Sequence, residues 1–515
     1  MNATAEARGR SAPRLDPLVA GAVAGLGLLI FAWVVFANGD LVLTLLPFGL
    51  AAVAIAAAVV PLRYSVLVLG FLALTLENPT ELPADGLWKS PLYTVGALML
   101  AHINLTIPIK ALIFSGLDVA LVFLIGVYVV RRIAGLRTDI RSQVPVAAPL
   151  RAAAILCIVT IAGLWMYGMA REAPDFGNSL WQIFRLIYLP VVFLLFCAAL
   201  RGPADARALG TAFLIAALLR ASLAVYIRSL FPDTEKVTFA TVHADSMLFA
   251  GAFLLVLVIL FERPRLRSVL LALFTLPILS LGMIANNRRL VWVEMGTGVL
   301  VLYLLTPFTR LKRRIAQMVT LSVPIVLVYV AAGWSSSSAA FAPVRTLRSV
   351  VDAQADQSTL WRDLENYNIY MTFKANPVLG TGLGHGYNEV IKLPSISGAY
   401  ALYRFAPHNS ILGLFAYAGA VGFLGLWLII PLGIFFAVRS YRLATASRDR
   451  IIALTVVGVL LVYELHCYGD MGLGTWTSVF LVAPALALAG KLAVATGAWP
   501  ARTARVRPDA PATPP

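Results

Sequence analysis

The sequence has little charge, very little cysteine and few histidines. Among its 515 residues, 60% are hydrophobic, 13% are charged, and only 3 are cysteine and 5 are histidine. Soluble globular domains carry about 25% charged residues, so this composition excludes a soluble globular protein. Cys157, Cys197 and Cys467 lie in or beside apolar segments without metal-ligand spacing. They therefore indicate small core residues rather than a disulfide framework or a zinc site.

Motifs of several enzyme classes are also missing. The chain has no Walker motif, no zinc-type cluster of histidine and cysteine, and no Asp-x-Asp pair. The glycines at 380, 382, 384 and 386 follow no strand pattern, so they do not form a dinucleotide-binding fingerprint. We therefore expect metal-independent chemistry without a cofactor, on a substrate that carries its own activated leaving group.

Long apolar runs dominate what remains. A membrane-spanning helix needs about 20 predominantly apolar residues, whereas a membrane barrel would need alternating strands of about ten residues, which the chain lacks. The predicted fold class is all-α: a polytopic inner-membrane helical bundle of about 14 transmembrane helices with one large periplasmic loop. The runs lie near 17–37, 41–60, 64–76, 111–130, 149–169, 186–200, 207–227, 246–261, 268–285, 290–308, 316–333, 410–432, 451–468 and 474–493.

The net charge of +16 invites a nucleic-acid partner, but the placement of the basic residues argues against one. Basic groups occur in alternate connections between apolar runs, and all of them fall on one side if both termini are cytoplasmic. This is the positive-inside pattern of a membrane protein. The groups are Arg63; Arg131, Arg132, Arg137 and Arg141; Arg201 and Arg207; Arg263, Arg265 and Arg267; Arg310, Lys312, Arg313 and Arg314; Arg439, Arg442, Arg448 and Arg450; and Arg502, Arg505 and Arg507.

The same topology predicts the domain organisation. We expect a cytoplasmic tail (1–16), a membrane domain of about eleven helices (17–333) and a large periplasmic loop (334–407). The last three helices (408–493) and a disordered cytoplasmic tail (494–515) follow. No cleavable signal is evident, since the first apolar run is long enough to remain as an anchor. Within the first membrane domain, residues 77–110 are interrupted by polar residues and suit an interfacial or re-entrant helix.

Two adjacent arginines oppose the insertion pattern. Arg288 and Arg289 lie in the short turn ANNRRL, which the topology places outside. Arginine pairs bidentately with phosphate oxygens, so this turn is a candidate site for an anion such as a lipid diphosphate. The alternative is that both side chains extend to lipid headgroups.

Further charged residues share that side of the membrane. Arg220 lies inside an apolar run and Arg185 begins another. Arg228 and Lys236 follow outside, then His243 and Asp245 at the head of the next helix. Each is either a member of a common cationic pocket or a residue that extends to headgroups. Acidic residues and a histidine also lie in or near apolar runs, where structural pairing and a proton path are both open: Asp118, Glu294, Glu464, His466 and Asp470.

His408 and Asn409 stand where the long external loop re-enters an apolar run. A histidine whose pKa is near neutrality can take a proton from an attacking hydroxyl, and Asn409 can orient it or the substrate. A histidine near a helix start is also often only a cap or a satisfied polar residue. The residues alone leave both interpretations open.

Taken together, these motifs resemble the O-antigen ligase and Wzy-type polysaccharide polymerase superfamily. The family has ten to fourteen spans and a large late periplasmic loop with an arginine-rich helical part, an Asn-Pro-x-x-Gly-x-Gly motif and His-Asn at the next span. It also has a short external turn in which tryptophan follows arginine by three residues. The matching positions, within roughly 240–440, are Arg345, Arg348 and Arg362; Asn376, Pro377, Gly380 and Gly382; His408 and Asn409; and Arg289 and Trp292.

The resemblance implies a GT-C-like glycosyltransferase of the bacterial inner membrane. It implies glycan transfer, on the periplasmic face, from an undecaprenyl-diphosphate-linked donor to an acceptor hydroxyl. His408 would be the base and Arg289 a diphosphate ligand, with Arg288 and Arg362 as further candidates. One departure concerns Lys236, which stands in EKVTF where the family has arginine. Either Lys236 replaces that arginine or Arg220, Arg228 or Arg185 does.

Within the family the favoured activity is a polymerase for an exopolysaccharide or an O-antigen, because the span number and the 77–110 segment look like exopolysaccharide members. An O-antigen ligase that transfers glycan to lipid A core, or a protein O-oligosaccharyltransferase, is the alternative. Expected partners are the lipid-linked oligosaccharide, an acceptor glycan and membrane lipids. A flippase and a chain-length regulator are further candidate partners, and no nucleic acid is expected. A lipid-linked glycan transporter or flippase is the non-enzyme alternative, and the paired broken helices typical of transporters are not evident.

Overall fold

The structure is a computed structural model, and its described residues consist of helices and their connections, without a β-strand. Predictions at Lys236 and Arg345, and most of the predicted 77–110 segment, lie outside the described part of the chain. The described residues are 17–36, 41–77, 92–101, 114–135, 143–233, 237–308, 310–336, 338–341, 344, 348, 357–394 and 402–500.

The chain divides into two compact units, Met1–Leu62 and Arg63–Pro515. In the first unit the described helices are α1 (Pro17–Phe36) and α2 (Leu41–Val59). Both are apolar along their length, and most of their described side chains are exposed. Helices of this kind are stable in hydrocarbon, where all backbone hydrogen bonds are made within the helix.

The second unit carries fifteen described helices, apart from two short 3-10 turns at Pro203–Asp205 and Ala339–Phe341. The helices are α3 (Leu62–Thr75), α4 (Tyr93–Leu100), α5 (Gly116–Ile133), α6 (Ala148–Met169), α7 (Phe176–Ala199), α8 (Ala206–Leu230), α9 (Asp245–Glu262), α10 (Leu266–Asn286), α11 (Leu290–Leu305), α12 (Arg310–Gly333), α13 (Gln357–Ala375), α14 (Ser410–Trp427), α15 (Ile429–Leu443), α16 (Ser447–Gly469) and α17 (Trp476–Ala495). The first residue of α3 falls in the first unit.

The predicted helical membrane bundle is confirmed. Every predicted apolar run overlaps a helix, and within the described ranges nine helical segments are long and apolar enough to cross a membrane. Four shorter apolar helices accompany them: 25–35, 48–59, 62–75 and 290–305. The number of about fourteen spans stays a prediction.

Helices α9, α16 and α17 form the centre of the second unit, since most of their side chains are buried. Glycines allow close approach between helices, as is typical of membrane bundles, where small residues mark the interfaces. Gly282 on α10 lies against Ala221 on α8, and Gly458 on α16 lies against Leu254 on α9. Cys157 and Cys467 are buried free cysteines, in agreement with their prediction as small core residues, whereas Cys197 is free and half-buried.

Helix α7 begins at Phe176, well before the run predicted near 186–200, so Arg185 lies within a helix rather than at its start. The predicted run starts only after the polar residues that precede position 186. The fold supplies hydrogen-bond partners for such residues, as Gln182 shows. Gln182 donates from Nε2 to the carbonyl of Phe405 and accepts at Oε1 from the Gly384 N–H, at 3.0 and 2.7 Å. Buried polar groups with partners of this kind do not end a helix.

Helix α14 is broken in its interior. Gly419 has φ 60° and ψ −173°, a conformation that glycine adopts without strain. The N–H groups after the break donate into the preceding loop, Ala420 to Pro377 O at 2.8 Å and Val421 to Val378 O at 3.2 Å. The loop also donates to the helix before the break, since the Gly382 N–H donates to Tyr417 O at 2.9 Å. The glycine-rich loop, residues 376–386, therefore packs closely against the protein's own helices.

Candidate functional site

The loop before α14 places His408 at the edge of the bundle. Asn409 is the N-cap of α14: its Oδ1 accepts the Leu412 N–H at 3.0 Å. A capping side chain satisfies a backbone donor that the first helical turn leaves unpaired. Asn409 is 4% exposed, so the structure gives it a helix-capping contact, while the His408 side chain keeps 19% of its exposure.

His408 is held by a buried carboxylate, Glu365 on α13. His408 Nδ1 lies 3.1 Å from Glu365 Oε2, and the His408 backbone N–H donates to the same oxygen at 3.3 Å. Glu365 is 0% exposed. A carboxylate oxygen at this distance favours the imidazole tautomer with the proton on Nδ1, in which Nε2 can accept a proton.

An aromatic side chain fixes the plane of the same imidazole. The Trp361 ring meets the His408 ring edge to face, with centroids 5.2 Å apart. The Trp361 indole N–H donates to the Pro394 carbonyl at 3.3 Å, which orients the indole itself. A histidine restrained by one carboxylate and one aromatic edge is preorganised as a proton acceptor.

Arg288, in the turn between α10 and α11, is a desolvated cation. Its guanidinium carbon lies 3.2 Å from the centroid of the Phe239 ring, a cation–π contact. The residue is 8% exposed, and its Nε–H has no hydrogen-bond partner in the described structure. Burial lowers the pKa of Arg288 to about 9, so it remains cationic at neutral pH. Arg289 is exposed and immediately precedes α11.

Asp470, which ends α16, joins several charged groups near that turn. Its Oδ2 accepts from His243 Nδ1 at 2.6 Å and lies 3.9 Å from Arg362 Nη2, and its Oδ1 accepts the Met471 N–H at 2.8 Å. Burial alone would raise the pKa of Asp470, but His243 and Arg362 outweigh it and hold that pKa well below its usual range. The carboxylate is therefore ionised at any physiological pH.

Two hydrogen bonds connect the surroundings of His408 to those of Asp470. Arg362 on α13 donates from Nη1 to the Gly469 carbonyl at 3.1 Å. The Ser410 hydroxyl, two residues after His408, donates to the Asp470 carbonyl at 3.2 Å. The structure thus brings His408, Arg362 and Arg288 to one end of the bundle, with Asp470 between them.

The other predicted basic residues have different surroundings. Arg220 is 2% exposed and forms ion pairs with both Asp245 and Glu77. Arg185 on α7 lines a cavity of about 40 Å³ that also contacts Pro407 and Ser410, on either side of His408.

Sequence reasoning did not select Glu365, and it left His243 and Asp470 open among several charged residues near the outer ends of apolar runs. Glu365 lies in the predicted loop helix three residues after Arg362, but nothing in the sequence pairs it with a histidine at position 408. His243 and Asp470 stand at the ends of two distant helices, α9 and α16. The available signal was a charged residue at the outer end of an apolar run, which many headgroup-anchoring residues share.

The fold and this cluster define a multi-pass helical membrane protein with a restrained histidine and a cationic site at one end of the bundle. Residues 274–427 match the family model described as O-antigen ligase. This match supports assignment of the chain to the O-antigen ligase and Wzy-type family, whose members are glycosyltransferase-like enzymes that use lipid-linked glycans. A search of curated proteins found no match. The matched segment contains Arg288, Glu365 and His408, whereas His243 and Asp470 lie outside it.

Proposed function

We propose that the protein is a polysaccharide polymerase for an exopolysaccharide or an O-antigen. In this proposal it transfers glycan from an undecaprenyl-diphosphate-linked donor to a hydroxyl of an acceptor glycan. The observation that carries the proposal is the pair of the buried Glu365 and the partly exposed His408, at the same end of the bundle as Arg362, Asp470 and the desolvated Arg288. The reaction takes place at the periplasmic face of the inner membrane, the side that the distribution of basic residues assigns to this end of the bundle.

His408 acts as the general base. The acceptor hydroxyl oxygen attacks the anomeric carbon of the donor sugar and forms the new glycosidic bond. Its proton passes to Nε2 of His408, while Glu365 stabilises the imidazolium that results. The bond between the anomeric carbon and the diphosphate oxygen breaks, and its electron pair leaves with the diphosphate.

The arginines stabilise the leaving diphosphate. Arg288 supplies a charge that is already desolvated, and Arg362 and the exposed Arg289 supply further guanidinium donors. Preorganised donors aimed at developing negative charge are a large source of catalysis. A diphosphate is activated as a leaving group before it binds, so orientation and charge stabilisation by these residues are sufficient for the reaction proposed here.

Arg220 has a different role in this proposal. Two buried carboxylates already neutralise it, so it stabilises the bundle rather than the donor. Arg185 faces the cavity beside Pro407 and Ser410 and is retained as a contact for the substrate near His408. Asn409 acts as a helix cap that positions His408.

The description of the matched family model favours a second candidate, an O-antigen ligase that transfers finished glycan to lipid A core. Both activities use the same donor chemistry and differ in the acceptor. A deletion strain separates them: loss of long chains with single repeat units remaining indicates polymerisation. Long chains that accumulate on the lipid carrier indicate ligation and would overturn the polymerase assignment.

Complementation of that strain tests the catalytic assignment. We expect His408→Ala to fail to restore long-chain polysaccharide at wild-type protein levels in the membrane. His385→Gln is the matched control. His385 is a half-buried histidine of the glycine-rich loop, and its Nε2 lies 3.0 Å from the Gly168 carbonyl on α6. Long chains restored by His408→Ala would contradict a catalytic role for His408.

A further inference from the structure

His243 forms a second histidine–carboxylate pair at the same end of the bundle. It lies in the connection between α8 and α9, and its Nδ1 is 2.6 Å from Asp470 Oδ2. Its side chain keeps 40% of its exposure, whereas the Asp470 side chain keeps 7%. The pair therefore has a buried carboxylate and an accessible imidazole, the same arrangement as Glu365 and His408.

His243 also shares an aromatic neighbour with Arg288. The Phe239 ring centroid lies 6.0 Å from the His243 ring centroid and 3.2 Å from the Arg288 guanidinium carbon. Both side chains therefore flank one ring. Asp470 links the pair to Arg362, whose Nη2 lies 3.9 Å from Asp470 Oδ2. His243 and Arg362 lie against Asp470, and Arg288 lies across the Phe239 ring from His243, so three potential cations are close to one carboxylate and an anion can bind among them.

Since Asp470 is ionised, it accepts the Nδ1–H of His243 and directs Nε2 away from itself. His243 Nε2 has no hydrogen-bond partner within the described ranges. An imidazole in this state can accept a proton at Nε2 and then donate it to a phosphate oxygen, while Nδ1–H remains bonded to Asp470.

We infer that His243, positioned by Asp470, is a further ligand of the donor's diphosphate and binds it as an imidazolium beside Arg288 and Arg362. This role rests on the proposed function, because the diphosphate enters only with that donor. It also supplies the additional basic ligand that the sequence left open among Lys236, Arg220, Arg228 and Arg185.

Two of the described alternatives, Arg228 and Arg220, are engaged elsewhere. Arg228 donates to the carbonyl oxygens of Ala285, Phe231, Val237 and Thr238, and so holds the connection that carries Phe239 and His243. Arg220 is enclosed by Asp245 and Glu77. Neither guanidinium can bind a diphosphate without giving up these partners.

The charges around His243 determine how binding depends on pH. Burial lowers the pKa of His243, Asp470 opposes that shift, and Arg288 and His466 add to it. His466 pairs with Glu294 at 2.8 Å, Arg362 lies beyond Asp470, and Asp245 is neutralised by Arg220. A bound diphosphate adds negative charge and raises the pKa of His243, so binding takes up a proton. Donor affinity should therefore fall as pH rises through the pKa of the bound state.

Binding of a soluble diphosphate diester to the purified full chain tests this role. The probe is farnesyl diphosphate linked to N-acetylglucosamine, whose two phosphates stay ionised across the range from about pH 5.5 to about pH 8.5 that a histidine senses. For wild-type protein we expect the affinity to fall by up to about tenfold per pH unit over part of that range. For His243→Gln we expect weaker binding at acidic pH and loss of this dependence, because an amide does not titrate.

Asp470→Asn provides a second measurement that does not remove the imidazole. Without the carboxylate the imidazolium is less stable, so the fall in affinity should move to lower pH. His385→Gln is the control and should bind like the wild type. Thermal unfolding of each purified variant shows whether it is folded. If His243→Gln is not folded, the pH dependence of binding by Asp470→Asn decides whether His243 is a ligand.

The outcomes separate this role from the proposed function. If wild-type protein binds the probe and Arg288→Ala weakens binding, but His243→Gln or Asp470→Asn leaves the pH profile unchanged, His243 is not a ligand and the polymerase proposal stands. If wild-type protein does not bind the probe at any pH, the diphosphate-donor assignment fails and the role of His243 fails with it.

Discussion

Arg362 and Glu365 lie three residues apart on α13, on one face of that helix, and reach two different parts of the site. Glu365 accepts from the imidazole and the backbone N–H of His408, and Arg362 donates to the Gly469 carbonyl beside Asp470. Residues at this spacing are neighbours on a helix surface. A single helix of the long loop thus positions the proposed base and approaches the proposed diphosphate site.

Glu365→Gln is expected to leave the fold intact and to lower turnover by about 100-fold to 10,000-fold. A glutamine keeps a hydrogen bond to Nδ1 but cannot stabilise the imidazolium. The measurement is the initial rate of glycan extension on a lipid-linked substrate with purified protein. Glu389→Gln, at a carboxylate that accepts from Tyr403, is the control. Equal rates for the two variants would remove Glu365 from the mechanism.

Arg288→Ala is expected to raise the KM for the donor by about 10-fold to 100-fold, the effect of one charge-assisted hydrogen bond. Arg288→Lys should recover only part of the loss, because an ammonium lacks the planar fork of a guanidinium. Donor titration in the same assay measures both effects. Arg448→Ala, at an exposed arginine that pairs with its neighbour Asp449, should leave KM unchanged. A similar rise in KM for this variant would show that the effect is not specific to the site.

Gly419→Ala should destabilise the bundle by about 1–3 kcal/mol, the cost of a non-glycine residue in a left-handed conformation. The added Cβ would also meet the Val378 backbone in the glycine-rich loop. Thermal unfolding in detergent measures the change. Gly296→Ala is the matched control, since a Cβ at Gly296 on α11 meets nothing within 4 Å, and alanine there should be neutral or stabilising by up to about 1 kcal/mol.

Arg220→Met should destabilise the protein by about 3–5 kcal/mol, because it leaves Asp245 and Glu77 buried without a counter-charge. Adding Asp245→Asn to Arg220→Met should recover part of the stability. The free energy of unfolding and the amount of protein in the membrane report the effect. A variant that is as stable as wild type but binds the diphosphate diester poorly would instead make Arg220 a donor ligand, as the sequence first suggested.

The boundaries of α7 and α14 show which features of the fold the sequence predicts and which it does not. The sequence predicts a span that begins at Arg185, yet α7 begins at Phe176 and includes the polar residues before Arg185. The polar side chain of Gln182 is satisfied by the loop that carries Gly384, a contact between segments about two hundred residues apart. Similarly, the 410–432 run was predicted as one span, and the break at Gly419 depends on hydrogen bonds from the same loop.

The sequence by itself determined the helical membrane class, because apolar runs of bilayer length must form helices that satisfy their own backbone. It also located His408 and the Arg288–Arg289 turn, since local motifs and insertion charge are properties of short segments. Only the tertiary structure decided the partners: Glu365 for His408, Asp470 for His243, and Asp245 with Glu77 for Arg220. These contacts join different helices and loops, and their hydrogen bonds and charge pairing depend on the packing of the whole bundle.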